Sequence, residues 1–236
     1  MMGVPLRISL HTRTLPALAL AAAMSLPAAS ASAVVLVAGS NPLPGTTLAA
    51  EPHLAGLVVE DELTDVAFVM GDGIFSATIQ SRVVLAGDGT YDFYWWIRDT
   101  QYTGTAPVEL GAFRIGNFGM PVVGLNANYR TDGVGQIGPV SAFAFSGAFA
   151  EFVNFSFSGL RAGNESRFMF LDTEATRYAR TAFFDLSNVD QTEASDTFST
   201  FGVAVVPEPA TLALMIAGFG GAGAMLRRRR VSPAAG

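Results

Sequence analysis

The sequence predicts an all-β domain, an antiparallel β-sandwich or jelly roll, with an apolar segment at either end of the chain. Three observations predict it. Short runs rich in β-branched and aromatic residues recur at about ten-residue spacing, glycine-rich turns separate them, and helical periodicity is almost absent. No internal repeat of fixed period is visible, which argues against a solenoid or propeller.

Residues 1–33 have the pattern of a secretory signal peptide. Arg7 and Arg13 precede an apolar run at 15–24, and small residues follow, ending in Ala31-Ser32-Ala33. A basic region, an apolar region and an A-x-A site in this order are typical of a cleaved leader. We predict cleavage after Ala33, with Ala31 as the alternative position.

The strands of the body, taken in order, begin with 34–38, after which Ser40-Asn41-Pro42-Leu43-Pro44-Gly45 interrupts regular structure. The charged Glu60-Asp61-Glu62 is expected at a turn or an edge. The clearest hairpin joins Arg82–Leu85 to Tyr91–Arg98 through Gly87-Asp88-Gly89. Further strands are predicted, with approximate bounds, at 54–59, 66–70, 74–79, 107–115, 121–129, 142–145, 149–157, 167–171, 181–186 and 198–205. The segment 172–180 is the one plausible helical turn.

Within Tyr91–Arg98 the two-residue period separates two faces. Phe93, Trp95 and Ile97 lie on a face predicted to be core, together with Tyr91. The opposite face carries Tyr94 and Trp96 between charged residues. These two rings are expected either to be half-buried or to form an exposed platform on which sugar rings stack.

The body between the two ends, residues 34–206, is long enough for one domain with a substantial core. It is strongly acidic, because 19 Asp and Glu residues face eight arginines, a net charge of about −11. Such a surface repels nucleic acid, so no nucleic-acid partner is expected. The sequence contains no cysteine, which excludes disulfides and thiolate metal sites.

The other end combines three features in order. Pro207-Glu208-Pro209 is stiff and acidic, residues 210–226 are uncharged, and Arg227, Arg228, Arg229 and Arg230 follow. A run of this length is at the short end of what crosses a bilayer, so we predict a single transmembrane helix. The arginines act as the membrane stop and fix the orientation, which leaves residues 231–236 as a cytoplasmic tail.

The order Pro-Glu-Pro, apolar run and arginine cluster resembles the PEP-CTERM sorting signal of Gram-negative, exopolysaccharide-producing bacteria. The resemblance is confined to residues 207–230, about the last tenth of the chain. It implies recognition by an exosortase during a transient stay in the inner membrane, then cleavage near the motif. The protein would finish at the cell surface, in the matrix or in the medium, with exopolysaccharide as a potential partner. The alternative is a single-pass anchor that is never cleaved.

Residues able to carry chemistry are few. His53 is the sole histidine besides His11 and is expected in a solvated loop, so no multi-histidine metal site or catalytic triad is indicated. No phosphate-binding loop is present. A pair of carboxylates could hydrolyse a glycosidic bond, and the acidic residues closest to the tryptophans in sequence are Asp88, Asp92, Asp99 and Glu109. No cofactor is expected, although Asp185, Asn188 and Asp190 offer oxygen ligands at short spacing that could hold calcium.

The interpretation that accounts for both ends and the body is an exported protein without catalysis, a structural or interaction component of the cell surface or exopolysaccharide matrix. A carbohydrate-binding module using Tyr94 and Trp96 is the first alternative. An extracellular glycosidase is the second.

Overall fold

The strands form two six-stranded sheets in a computed structural model that describes residues 32–147, 150–204, 214–219 and 225. Every pairing between the named strands is antiparallel. The prediction of an all-β domain with antiparallel sheets is therefore confirmed, and the sandwich-like arrangement follows from one core shared by both sheets.

The first sheet has the order β1-β7-β10-β5-β4-β3. Its strands are β1 (Val34–Val35), β3 (Gly56–Met70), β4 (Gly73–Ala86), β5 (Tyr91–Tyr102), β7 (Asn126–Tyr129) and β10 (Met169–Asp172). The second sheet has the order β12-β11-β6-β9-β8-β2. Its strands are β2 (Gly39–Pro42), β6 (Leu110–Gly116), β8 (Ser141–Ser146), β9 (Glu151–Leu160), β11 (Tyr178–Asn188) and β12 (Phe198–Val203).

The core lies between the sheets and is built largely from aromatic rings. As predicted, Phe93, Trp95 and Ile97 point inward from β5 and are fully or almost fully buried. The Trp95 ring meets Phe113 of the second sheet at a centroid distance of 6.1 Å. Its Nε1 donates a hydrogen bond of 3.0 Å to Oγ1 of Thr200, also on the second sheet. This buried bond satisfies the indole N–H and links the two layers.

The predicted hairpin through Gly87-Asp88-Gly89 is confirmed, with longer arms, as the β4–β5 pair. The acidic run Glu60-Asp61-Glu62 lies within β3, at the edge of the first sheet. Charged side chains suit such a strand because they discourage pairing with another chain. Two of these residues also reach the second sheet, where Tyr178 donates to Glu60 and Arg180 pairs with Glu62.

The helical turn predicted at 172–180 is wrong. Asp172 ends β10, residues 173–177 form an irregular connection with a bend at Thr176, and β11 begins at Tyr178. Hydrogen bonds to β5 hold this connection in place. Thr173 Oγ1 donates 2.6 Å to the Tyr91 carbonyl, and the Tyr91 amide donates 2.8 Å to the Ala175 carbonyl. These two bonds satisfy the amide and the carbonyl of Tyr91 and fix the segment against β5 without a helix.

A segment at 43–55 covers part of the outer face of the first sheet. It contains a short 3-10 helix, Pro52–Leu54. The Gly45 amide donates 2.8 Å to Oδ1 of the buried Asn128, and Leu54 packs in a second apolar cluster with Tyr94 and Phe170. The interruption predicted at 40–45 is therefore shorter than expected, because Gly39–Pro42 is a strand.

Candidate functional site

The outer face of the second sheet carries exposed phenylalanines. Phe143 and Phe145 of β8 are 39% and 40% exposed, and Phe183 of β11 is 38% exposed. In β8 the alternation is the reverse of the usual one, because the small Ala142 and Ala144 are the buried residues. Large apolar side chains placed on the solvent side of a strand gain nothing from the core, so they mark this face as a candidate for interaction.

Three of the aromatic side chains on this face contact one another. Phe152 of β9 lies opposite Phe145 of β8, at a ring-centroid distance of 5.2 Å, and its ring centroid is 6.4 Å from that of Phe143. Phe183 lies over Gly116 of β6, where an added Cβ would collide with its ring. Phe143, Phe145 and Phe152 therefore form a packed cluster, and Phe183 lies on the same face across Gly116, which pairs with both Phe152 and Phe183. We call this surface, made of Phe143, Phe145, Phe152 and Phe183, the Phe face.

A charged pair lies beside the Phe face. Arg114 of β6 donates from Nη2 and Nε to Oδ2 of Asp185 on β11, at 2.7 and 3.0 Å. The Asp185 side chain is buried, whereas the Arg114 side chain is 44% exposed. Burial raises the pKa of Asp185 and the guanidinium opposes that rise. Together with Phe152 and Phe183, this pair lines a groove of about 820 Å³.

This surface offers groups suited to binding. Its rings offer apolar area, and Arg114 offers hydrogen-bond donors at the edge of the groove. Glu151 also lines the groove, but its Oε1 accepts the Val122 amide at 2.9 Å. Sequence reasoning missed the Phe face. The signal was present in the Phe-Ala alternation of 142–145, but that pattern does not say which face of the strand is buried.

The two aromatic residues predicted as a sugar platform lie elsewhere. Tyr94 is 5% exposed and packs against Phe168 and Phe170 on the outer face of the first sheet, so the half-buried alternative describes it better. Trp96 is partly exposed, but the Arg98 guanidinium covers its ring at 4.7 Å and Phe168 packs beside it. Tyr94 and Trp96 therefore do not form an open platform.

The four carboxylates considered for glycoside hydrolysis do not come together. Asp88 caps its own turn through Thr90, Asp99 pairs with Arg98, and Glu109 pairs with Arg161. Of these four carboxylates, only Asp92 is fully buried.

The structure brings Asp92 next to a different residue, Asp172. Phe93 of β5 pairs with Leu171 of β10 in antiparallel register. The residue before Phe93 therefore lies opposite the residue after Leu171, which places Asp92 beside Asp172. Burial raises the pKa of Asp92 to about 8, and the charge of Asp172 adds to that rise. His53, predicted as a solvated loop residue, approaches Asp172 with Nε2 at 3.4 Å from Oδ2.

The three residues considered for calcium have separate roles. Asp185 accepts from Arg114, whereas the Asn188 side chain bonds with Thr192 and Glu193 inside its own turn, and Asp190 is exposed. Within the described ranges, no group of three or more His, Asp or Glu side chains is placed to hold a metal ion.

The predicted processing residues fall mostly outside the described part of the chain. This applies to Ala31, to Pro207-Glu208-Pro209 and to Arg227–Arg230, while Ala33 is described and lies beside β1. Of the predicted transmembrane segment, residues 214–219 are described and are helical. Among the helices that the structure describes, none is both long and apolar enough to span a bilayer.

Comparison with known families locates one match, at the C-terminal end. The PEP-CTERM protein-sorting motif matches residues 205–230, about a tenth of the chain. Comparisons with curated proteins and with solved structures gave no match. The match contains the Pro-Glu-Pro, the uncharged run and the four arginines on which the resemblance depended. Residues 205–230 therefore carry a PEP-CTERM protein-sorting motif, which implies export and processing by an exosortase.

Proposed function

We propose that this protein is a non-catalytic structural or interaction component of the cell surface or the exopolysaccharide matrix. The observation that carries the proposal is the sorting motif at 205–230, which follows directly on an acidic, all-β domain. Net negative charge keeps such a domain soluble after release and away from anionic surfaces. The leader at 1–33 supplies the export step, and the arginine cluster retains the tail until an exosortase acts.

Mass spectrometry of the mature C-terminus from the native host tests the sorting step. We expect a protein that ends near Pro207-Glu208-Pro209 and lacks Arg227–Arg230. A Glu208→Gln variant should accumulate in the membrane fraction with its tail intact, whereas a Ser232→Ala variant, changed beyond the motif, should be processed normally. Full-length protein with all four arginines in the wild-type strain would contradict the proposal and identify a permanent anchor.

A second candidate function, carbohydrate binding, is favoured by the Phe face. Aromatic rings exposed at about 40% offer apolar area for the hydrophobic faces of sugar rings, and Arg114 stands beside them as a donor for hydroxyl or carboxylate oxygens. The groove of about 820 Å³ is large enough for a small oligosaccharide. On this hypothesis the Phe face, rather than Tyr94 and Trp96, holds the host's own exopolysaccharide.

Retention on that exopolysaccharide tests the binding hypothesis. We expect the double variant Phe143→Ala/Phe145→Ala to lose about tenfold or more in affinity, since two exposed contact rings are removed. Leu57→Ala removes an exposed apolar side chain from the first sheet and is the matched control, expected to bind normally. A Trp96→Ala variant is also expected to bind. Equal retention by all three would refute carbohydrate binding at the Phe face.

The proposal that the domain is non-catalytic is supported by the contacts of the four carboxylates considered for hydrolysis. Asp92 lies beside Asp172 but is fully buried. Asp88, Asp99 and Glu109 are each engaged by a neighbouring side chain or turn, which is not the arrangement of a facing acid and base. Incubation of the purified protein with the host polysaccharide should release no reducing sugar. Release that is abolished by Asp92→Asn would instead support the glycosidase alternative.

A further inference from the structure

The start of the folded domain is held by a buried acidic side chain. Glu51, just before the 3-10 helix, is 7% exposed, and its Oε1 accepts the Ala33 backbone N–H at 2.7 Å. Its other oxygen, Oε2, is buried and has no hydrogen-bond partner among the residues that the structure describes. Within the same residues no arginine forms an ion pair with it. A buried carboxylate with one unsatisfied oxygen is costly unless a cationic group completes it.

Ser32 is also part of the fold. The side chain of Asn128, which is fully buried, donates from Nδ2 to the Ser32 carbonyl at 3.1 Å. Asn128 is fixed in that orientation because its Oδ1 accepts the amides of Gly45 and Tyr129, at 2.8 and 3.0 Å. Ala33 packs against the second apolar cluster. Both residues upstream of β1 are therefore bound before the first strand pair begins.

Cleavage after Ala33 would remove these contacts. It would take away the carbonyl bound by Asn128 and the amide bound by Glu51, and would leave two buried polar side chains without those partners. Cleavage after Ala31 keeps both. It also creates a positively charged amine on Ser32, one residue from the amide that Glu51 already binds.

From this geometry we infer that the leader is removed after Ala31, and that the new α-ammonium group of Ser32 forms an ion pair with the buried Glu51 carboxylate. The inference rests on the export step of the proposed function and adds the cleavage position and the residue that receives the new terminus. Ala29-Ser30-Ala31 satisfies the A-x-A pattern as well as Ala31-Ser32-Ala33 does. Peptide-bond hydrolysis supplies the amine, which is protonated at neutral pH.

The mass of the N-terminal peptide of the exported protein, taken from its native host, tests the cleavage position. A peptide that begins at Ser32 is the expected result. One that begins at Val34 overturns the inference and leaves the proposed export and sorting untouched. A chain that still begins at Met1 and stays in the cytosol overturns both.

Amine labelling tests the ion pair, and the chain is well suited to it because it contains no lysine. An amine-reactive reagent therefore reports on the α-amine alone. In the wild type we expect slow labelling, since the ion pair holds the amine protonated. Glu51→Gln keeps an acceptor for the Ala33 amide but removes the charge, and should be labelled about tenfold faster, as expected when one pKa unit of protection is lost.

The matched control is Glu151→Gln. Glu151 also accepts a backbone amide, that of Val122 at 2.9 Å, but lies at the Phe-face groove. Its labelling rate should equal that of the wild type. If Glu51→Gln and Glu151→Gln are both labelled at the wild-type rate, Glu51 does not hold the amine and the ion pair is refuted. Should Glu51→Gln fail to fold, the peptide mass of the wild type still decides the cleavage position.

Discussion

Replacement of the buried Asp92 by asparagine should stabilise the protein at alkaline pH. Asp92 is fully buried beside Asp172, and burial, followed by the charge of Asp172, raises its pKa to about 8. Because this value lies above the ordinary 3.8, the folded protein holds a proton that the unfolded chain releases between those two pH values. The free energy of unfolding therefore falls as pH rises through that window, and levels off above it.

The size of the effect follows from the two pKa values. Each pH unit between them corresponds to about 1.4 kcal/mol, which gives an upper bound of about 6 kcal/mol. Asp172 is partly exposed, so solvent screens its charge and we expect about 2 kcal/mol. Asparagine imitates the protonated form of Asp92, because its amide can donate to the Asp172 carboxylate without adding charge.

Urea unfolding of the Asp92→Asn variant and the wild type, at about pH 4.5 and about pH 8.5, measures this effect. The variant should be more stable by about 2 kcal/mol at the higher pH and nearly equal at the lower one. Asp190→Asn, changed at an exposed site, is the control and should track the wild type at both. A stability difference between Asp92→Asn and wild type that does not change with pH would refute the reasoning.

Three further predictions concern the core and one loop. Thr200→Val removes the acceptor of the Trp95 indole N–H and should cost about 1–3 kcal/mol in urea unfolding, because a buried donor is left unsatisfied; an unchanged midpoint would contradict this. Phe113→Ala opens a cavity between the sheets and should cost about 3–5 kcal/mol by the same measurement. Hydrogen bonds from the side chains of Tyr102 and Thr105 lower the pKa of Asp72. Asp72 also accepts the Thr105 amide, so Asp72→Asn should speed amide hydrogen exchange at Thr105 and leave exchange in β9 unchanged.

The fold class was predictable because it depends on local patterns. The alternation in β5 identified Phe93, Trp95 and Ile97 as core, and the Gly-Asp-Gly turn identified the β4–β5 hairpin. These features need only neighbouring residues, since a strand's faces and a tight turn are set within a few positions. The sorting motif was predictable for the same reason, as its three parts are contiguous in the chain.

The candidate sites were not predictable, because each depends on how the strands pair or on which face of a strand meets the core. Asp92 and Asp172 meet only because β10 lies between β5 and β7, and nothing local to either residue indicates that pairing. The exposure of Phe143 depends on which face of β8 meets the first sheet, and Ala142 and Ala144 occupy that face. Residues 172–180 have a helix-compatible composition, yet hydrogen bonds to Tyr91 hold them as an irregular connection between β10 and β11. Tertiary contacts here override local preference.

The position of β12 bears on what an exosortase would release. This strand ends at Val203, where the Val203 amide donates to the Phe118 carbonyl and the Ala204 amide donates to the Arg177 carbonyl. In the part of the chain that the structure describes, all the paired backbone of the second sheet precedes residue 205, at which the sorting motif begins. A cut at or beyond Pro207 would therefore sever none of the described sheet hydrogen bonds, so the released product would keep the twelve described strands and could leave the membrane without refolding.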